Sequence, residues 1–139
     1  MWIAIALVLS VVRRRPALFM LVTAAVIAAD MISLGLKELG GRRRPFIANP
    51  EQDPLIGTHL DLSFPSGHAS TSFAGATVLA VAAPQLAIPL YLLAGGVAAS
   101  RVYVGVHYPL DIIVGALLAR ALRRLAASPR RSRPSRRRG

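Results

Sequence analysis

The chain has 139 residues, enough for one domain, and combines 54% hydrophobic residues with a formal net charge of +11. Those two values conflict for a soluble globule and agree for a small membrane protein whose charges lie in connections and a tail. Cysteine is absent, which excludes disulfides and thiolate metal sites, and six acids with three histidines are too few for a carboxylate cage around a metal.

Met1 to Val12 is apolar, but twelve residues at about 1.5 Å each fall short of a hydrocarbon core of roughly 30 Å. It lacks a basic leader and a small-residue cleavage site, and Arg13-Arg14-Arg15-Pro16 follows directly, so it reads as part of a spanning helix and not as a signal peptide. Ala17 to Leu36 is the clearest transmembrane segment, interrupted by a single charge at Asp30. Asp30, Ser33 and Lys37 fall on one helical stripe, and an acid within a membrane helix faces the bundle interior, here as a polar packing contact. Lys37 to Pro65 is one long polar connection, broken by Gly40-Gly41, Pro45, Pro50 and Pro54. A loop of that length between helices points to function.

Pro65-Ser66-Gly67-His68 opens the next apolar run, Ala69 to Ala83. Ser66 is a good N-cap, Gly67 lets backbone approach a ligand, and a helix N-terminus with unpaired N–H groups attracts anions. After the turn at Pro84-Gln85, Leu86 to Ser100 is a further spanning run, in which Ala94, Gly95, Gly96, Ala98 and Ala99 permit close helix packing. Leu110 to Leu122 completes the bundle. From Arg123 the chain is mostly Arg, Ser, Pro and Ala. The domain division is a membrane-embedded unit over 1–125 and a disordered basic tail over 126–139.

Basic residues set the expected orientation. Following the segments back and forth puts twelve on the side of Arg13 to Arg15, Arg120, Arg123, Arg124 and the tail, and five, Lys37, Arg42, Arg43, Arg44 and Arg101, on the other. The positive-inside rule makes the first side cytoplasmic, so the candidate site faces outward. The same count leaves five segments with the N-terminus outside, an arrangement that one further helix at the start would repair. Trp2, Tyr103 and Tyr108 read as interfacial aromatics. Arg42 and Arg43 read as headgroup contacts or solvated charges, and His59 as an exposed histidine.

The chemistry concentrates in Ser100 to Asp111. With a helix starting near Tyr108-Pro109, His107 and Asp111 stand four residues apart on one face, where a carboxylate can reach an imidazole N–H. An imidazole held at one nitrogen presents the other unprotonated, ready to attack phosphorus, and Arg101 can fork onto the oxygens of that phosphorus.

Three motifs thus stand on one membrane face: Lys37 with six residues before Arg44-Pro45, then Pro65-Ser66-Gly67-His68, then Ser100-Arg101 with five residues before His107 and three more before Asp111. In order and spacing this resembles the type 2 phosphatidic acid phosphatase family, which is similar in its active site to the vanadium haloperoxidases. The resemblance covers about Asp30 to Leu122. It implies an all-α, polytopic membrane helical bundle, of which this chain offers about five spanning segments where bacterial members commonly have six. It implies His107 as nucleophile, Asp111 as its orienting acid and His68 as the general acid and base. Lys37, Arg44 and Arg101, with backbone N–H groups around Ser66 and Gly67, would hold the phosphate oxygens in place of a metal, so no cofactor is expected. The implied activity is a metal-independent lipid phosphate or pyrophosphate phosphatase of a bacterial cell membrane, with polyprenyl or phosphatidic-acid-like substrates and with specificity in Phe46 to Phe64. The rivals are a haloperoxidase, a catalytically silent lipid-binding relative, and nucleic-acid binding through the tail. The tail has no aromatics for base stacking, and membrane topology already accounts for its charge.

Overall fold

A computed structural model describes residues 1–48 and 62–127. Its ordered elements are helices throughout: α1 (Trp2–Val12), α2 (Pro16–Gly40), the single turn α3 (Pro45–Ala48), α4 (Gly67–Ala82), a 3-10 turn (Pro84–Leu86), α5 (Ala87–Tyr103) and α6 (Pro109–Ala127). Five of these helices are long, in keeping with the expected bundle. By length and composition, α2 and the stretch Pro84–Tyr103 are apolar enough to cross a membrane.

The bundle is built around α4, against which α1, α2, α5 and α6 all pack. The composition of α4 permits this. Its buried positions are Ala69, Ser70, Ser72, Ala74, Gly75, Ala76, Thr77 and Leu79, small side chains that let neighbouring backbones come close. Close approaches between helices fall at two glycines. A Cβ on Gly75 would lie 2.9 Å from the Trp2 ring, and one on Gly115 of α6 would lie 2.9 Å from the Ser66 carbonyl oxygen. Large side chains such as Leu21, Ile88, Leu92 and Leu117 point outward and stay exposed, an apolar exterior suited to lipid.

Several boundaries and faces differ from the sequence reading. α2 does not stop at Leu36 but continues to Gly40, where Gly41 in the left-handed region (φ 54°) ends it and donates to the Lys37 carbonyl at 3.2 Å. Lys37 therefore stands in the last helical turn, where a cation complements the helix dipole, and not in the connection. α6 runs past Leu122 to Ala127, so Arg123 and Arg124 belong to a helix. In α5 the packing surface is Ala94 and Ala98, whereas a Cβ on Gly95 or Gly96 would meet nothing within 4 Å. Trp2 is not an interfacial aromatic. It is 6% exposed, and its indole N–H donates to the Ser72 hydroxyl at 3.0 Å inside the core. Tyr103 is exposed, as an interfacial residue should be. His59, residues 49–61 of the Phe46 to Phe64 stretch expected to carry specificity, and the tail beyond residue 127 lie outside the described residues.

The two ends of the bundle are chemically distinct. At one end Arg13 donates to the Ala82 carbonyl (3.4 Å), joining the α1–α2 turn to the finish of α4. At the other end, the finishes of α2 and α5 meet the starts of α4 and α6, and the polar motifs gather there.

Candidate active site

His107 lies on a turn that folds back on the end of α5. The amides of Val106 and His107 both donate to the Arg101 carbonyl at 3.2 Å, and Gly105 takes the positive φ (77°) that the reversal needs. The ring is 4% exposed. Four residues on, Asp111 occupies the first turn of α6 and is fully buried. One carboxylate oxygen, Oδ2, accepts the Tyr108 N–H at 2.9 Å, in the manner of a helix cap.

The expected His–Asp pairing is present but indirect. His107 Nδ1 stands 3.6 Å from Asp111 Oδ2, beyond good hydrogen-bond range. The Ser63 hydroxyl donates to that same Oδ2 and sits 3.5 Å from Nδ1. On the other oxygen, Arg42 Nη1 approaches Asp111 Oδ1 at 3.3 Å, and the Arg42 guanidinium lies 4.0 Å over the centroid of the Tyr108 ring. This corrects two expectations. Arg42 is an ion-pair and cation–π partner inside the site, not a headgroup contact, and Tyr108 is its platform more than an interfacial ring. Arg43 is exposed, as a solvated charge should be. Neither Ser63 nor Arg42 belongs to a motif. The signal that could have found them is their adjacency to motif residues: Ser63 precedes Pro65-Ser66 by two, and Arg42 precedes Arg44 by two.

Arg44 is 7% exposed and donates to the Val106 carbonyl at 3.1 Å, within the turn that carries His107. Lys37 is half-buried. Arg44 and Lys37 act electrostatically on both His107 and His68, so the two histidines share one cationic environment. Burial is the main cause that lowers the His107 pKa to about 4. Arg44 and, more weakly, Lys37 act in the same direction, against Asp111 and a hydrogen bond to the Ser63 backbone. His107 is therefore neutral at physiological pH, with a nitrogen lone pair to offer.

His68 follows Gly67 in the first turn of α4 and is exposed, with Arg101 as well as Arg44 and Lys37 near it. Asp30 acts on it from α2 with the opposite sign, and the Asp30 carboxylate would be 3.5 Å from a Cβ on Gly67. The inward face expected for Asp30 is thus the face that meets the start of α4. Ser66 is buried. Its hydroxyl accepts the Ala69 N–H at 3.4 Å, and its own N–H donates to the Asp111 carbonyl at 3.1 Å. Ser66 therefore caps α4 and ties it to α6. The Gly67 and His68 amides are the remaining first-turn donors that lack a partner within the helix. Among the described residues, no group of three His, Asp or Glu side chains is placed to hold a metal ion.

The structure thus brings Lys37, Arg44, Ser66, Gly67, His68, Arg101, His107 and Asp111 to one end of the bundle. The arrangement offers a buried neutral imidazole, an exposed second imidazole and three cations, a combination suited to an anionic tetrahedral group.

Known proteins match this chain over most of its length. The model of the PAP2 superfamily matches residues 2–131. Decaprenylphosphoryl-5-phosphoribose phosphatase of Mycobacterium tuberculosis is 35% identical over 122 residues, covering 84% of this chain and 64% of that protein. Undecaprenyl-diphosphatase of Sulfolobus acidocaldarius is 34% identical over 119 residues, covering 84% and 57%. The Mycolicibacterium smegmatis decaprenylphosphoryl-5-phosphoribose phosphatase is 37% identical over 98 residues, covering 68% and 50%. The chain therefore spans between half and two thirds of the length of these relatives. Among solved structures, a transmembrane PAP2 type phosphatidylglycerolphosphate phosphatase from Bacillus subtilis superposes with a TM-score of 0.63 at 25% identity, covering 95% of this chain and 70% of that one.

Proposed function

The chain belongs to the PAP2 superfamily, and on that premise we propose that it is an integral-membrane phosphatase that removes phosphate from a lipid phosphate or pyrophosphate through a phosphohistidine intermediate. The observation that carries this reading is a buried, neutral His107 that shares the field of Arg44 and Lys37 with an exposed His68. Acid and nucleophile are thus two imidazoles in two environments, one dry and one wet.

In the first step the His107 Nε2 lone pair attacks phosphorus in line, the N–P bond forms, and the bond to the leaving oxygen breaks. Protonated His68 delivers its proton to that oxygen. Neutral His68 then takes a proton from water as the water attacks phosphorus, the N–P bond breaks, and His107 recovers its lone pair. Lys37, Arg44 and Arg101, with the Gly67 and His68 amides at the start of α4, hold the phosphoryl oxygens through both steps. Fixed positive charge aimed at those oxygens supplies most of the catalysis in phosphoryl transfer. Three side-chain cations take the part that a divalent metal plays in other phosphatases.

A site at the end of an apolar bundle suits a substrate whose phosphate stands at headgroup level while its tail remains in lipid. Relatives named for decaprenylphosphoryl and undecaprenyl substrates support a polyprenyl carrier. The excess of basic residues at the opposite end supports a bacterial cell membrane location with the site facing outward.

The test is phosphate release by detergent-purified protein with EDTA present, across polyprenyl pyrophosphate, polyprenyl-phosphosugar phosphate, phosphatidic acid and phosphatidylglycerol phosphate. Release that survives EDTA, is blocked by vanadate and is abolished in His107→Ala is the expected result. A strict divalent-metal requirement, or full activity in His107→Ala, overturns it.

A further inference from the structure

Resting on that reading, we propose that Ser63 and Arg42 are positioning residues that together clamp Asp111, with the Ser63 hydroxyl bridging Asp111 to His107 Nδ1. The bridge follows from hydrogen-bond supply. Neutral His107 that attacks through Nε2 carries its proton on Nδ1 and needs an acceptor there. Asp111 Oδ2 is 3.6 Å away and already accepts from the Tyr108 N–H and the Ser63 hydroxyl. Ser63 Oγ spends its only proton on Asp111 and stands 3.5 Å from Nδ1, a long approach and the weaker of the two links. The chain Nδ1–H to Oγ–H to Oδ2 is thus consistent at every atom. As phosphorus bonds to Nε2 the ring becomes cationic, Nδ1 keeps its proton, and both links strengthen without a proton transfer.

Arg42 acts on the other oxygen. Its ion pair to Oδ1 and its stacking on Tyr108 hold the carboxylate from the side away from His107, so that Oδ2 stays turned to Ser63. The two residues form a unit in the backbone as well, because the Ser63 N–H donates to the Arg42 carbonyl at 2.8 Å. One backbone hydrogen bond therefore presents both side chains to opposite oxygens of a fully buried carboxylate. Neither residue reaches the proposed phosphate ligands in these contacts, which separates their role from binding.

The experiment is a double-mutant cycle on phosphate release, with Ser63→Ala made alone and in an Asp111→Ala background, and with thermal melting in detergent to establish folding. Loss of one hydrogen bond in a charged chain predicts a kcat lower by about 10- to 100-fold in Ser63→Ala with KM within about twofold of wild type. In the Asp111→Ala background the same substitution is expected to change kcat by less than about threefold, because the residue it acts through is gone. An unchanged kcat in folded Ser63→Ala, or the same loss in both backgrounds, overturns the clamp. Should Ser63→Ala fail to fold, Arg42→Gln is read through the same cycle against Oδ1. Failure of both to fold makes the pair structural and also overturns the inference. A wild type that releases no phosphate sinks the phosphatase reading and this inference with it, whereas an active wild type with an indifferent Ser63→Ala sinks the clamp alone.

Discussion

The acid limb of the pH–rate profile probes the electrostatics of the proposed nucleophile directly. Burial first, and Arg44 second, bring the His107 pKa from 6.5 to about 4. At pH 6 such a group is protonated in roughly one molecule in a hundred, whereas an ordinary histidine is protonated in roughly three of four. With a soluble short-chain lipid phosphate, and after division by the substrate's own titration, the acid limb of kcat/KM is expected to fall with a midpoint near 4, separate from the basic limb that loss of the His68 proton imposes at higher pH. Arg44→Gln removes the second cause and is expected to shift that midpoint upward, toward 6.5, whatever it does to the maximal rate. A wild-type midpoint near 6.5, or an Arg44→Gln midpoint that does not move, would refute this account of the site. The same shift has a stability consequence of definite sign. The folded-state pKa lies below the unfolded one, so as pH falls the unfolded chain binds the proton first. The stability associated with His107 is complete above about pH 6.5 and declines by roughly 3 kcal/mol on approach to pH 4, which detergent melting at a series of pH values would record.

Three further outcomes follow from named contacts. Gly115→Ala places a methyl 2.9 Å from the Ser66 carbonyl where α6 crosses α4, and overpacking there is expected to cost about 1–3 kcal/mol and to slow turnover through the Ser66–Asp111 bond. Equal melting temperature and rate would show that the two helices are not in contact at that point. Trp2→Phe keeps the bulk against Gly75 but leaves the Ser72 hydroxyl without its donor, an expected loss of about 1 kcal/mol with kcat unchanged. A lower kcat at unchanged stability would count against a purely structural Trp2. Arg44→Gln should lower kcat/KM by at least about 100-fold, because it removes both a proposed phosphoryl-binding cation and the anchor to Val106. A loss under about tenfold would remove Arg44 from the proposed ligand set.

What could be read from the chain and what could not divide along physical lines. Polar residues are rare in apolar helices and costly there, so Lys37, Arg44, Ser66, His68, Arg101, His107 and Asp111 stand out, and their spacing encodes one end of the bundle. The positions of α2, α4, α5 and α6 follow from the same contrast. Arg42, Ser63 and Trp2 were not legible as partners because their contacts close over long separations, to Asp111 for the first two and to Ser72 for the third. An arginine beside two others, or a serine before an obvious cap, has no local pattern that distinguishes it from its neighbours. Hydropathy puts the end of α2 early, at Leu36, because charge begins at Lys37, whereas the backbone ends the helix where Gly41 can turn left-handed. In α5 the small residues pointed to close packing, but only the three-dimensional phase of the helix shows that Ala94 and Ala98, not Gly95 and Gly96, face α4.

The backbone hydrogen bond from Ser63 to Arg42 joins two points that are far apart in the chain, and it does so immediately beside Asp111. Of the residues between them, Arg44 also reaches the site, through the Val106 carbonyl. Insertions or deletions between residues 49 and 61 leave both partners of that bond in place, and the entropy of closing a longer excursion grows only with the logarithm of its length. A change of chain length between residues 49 and 61 is therefore expected to leave the contacts of Ser63 and Arg42 with Asp111 in place.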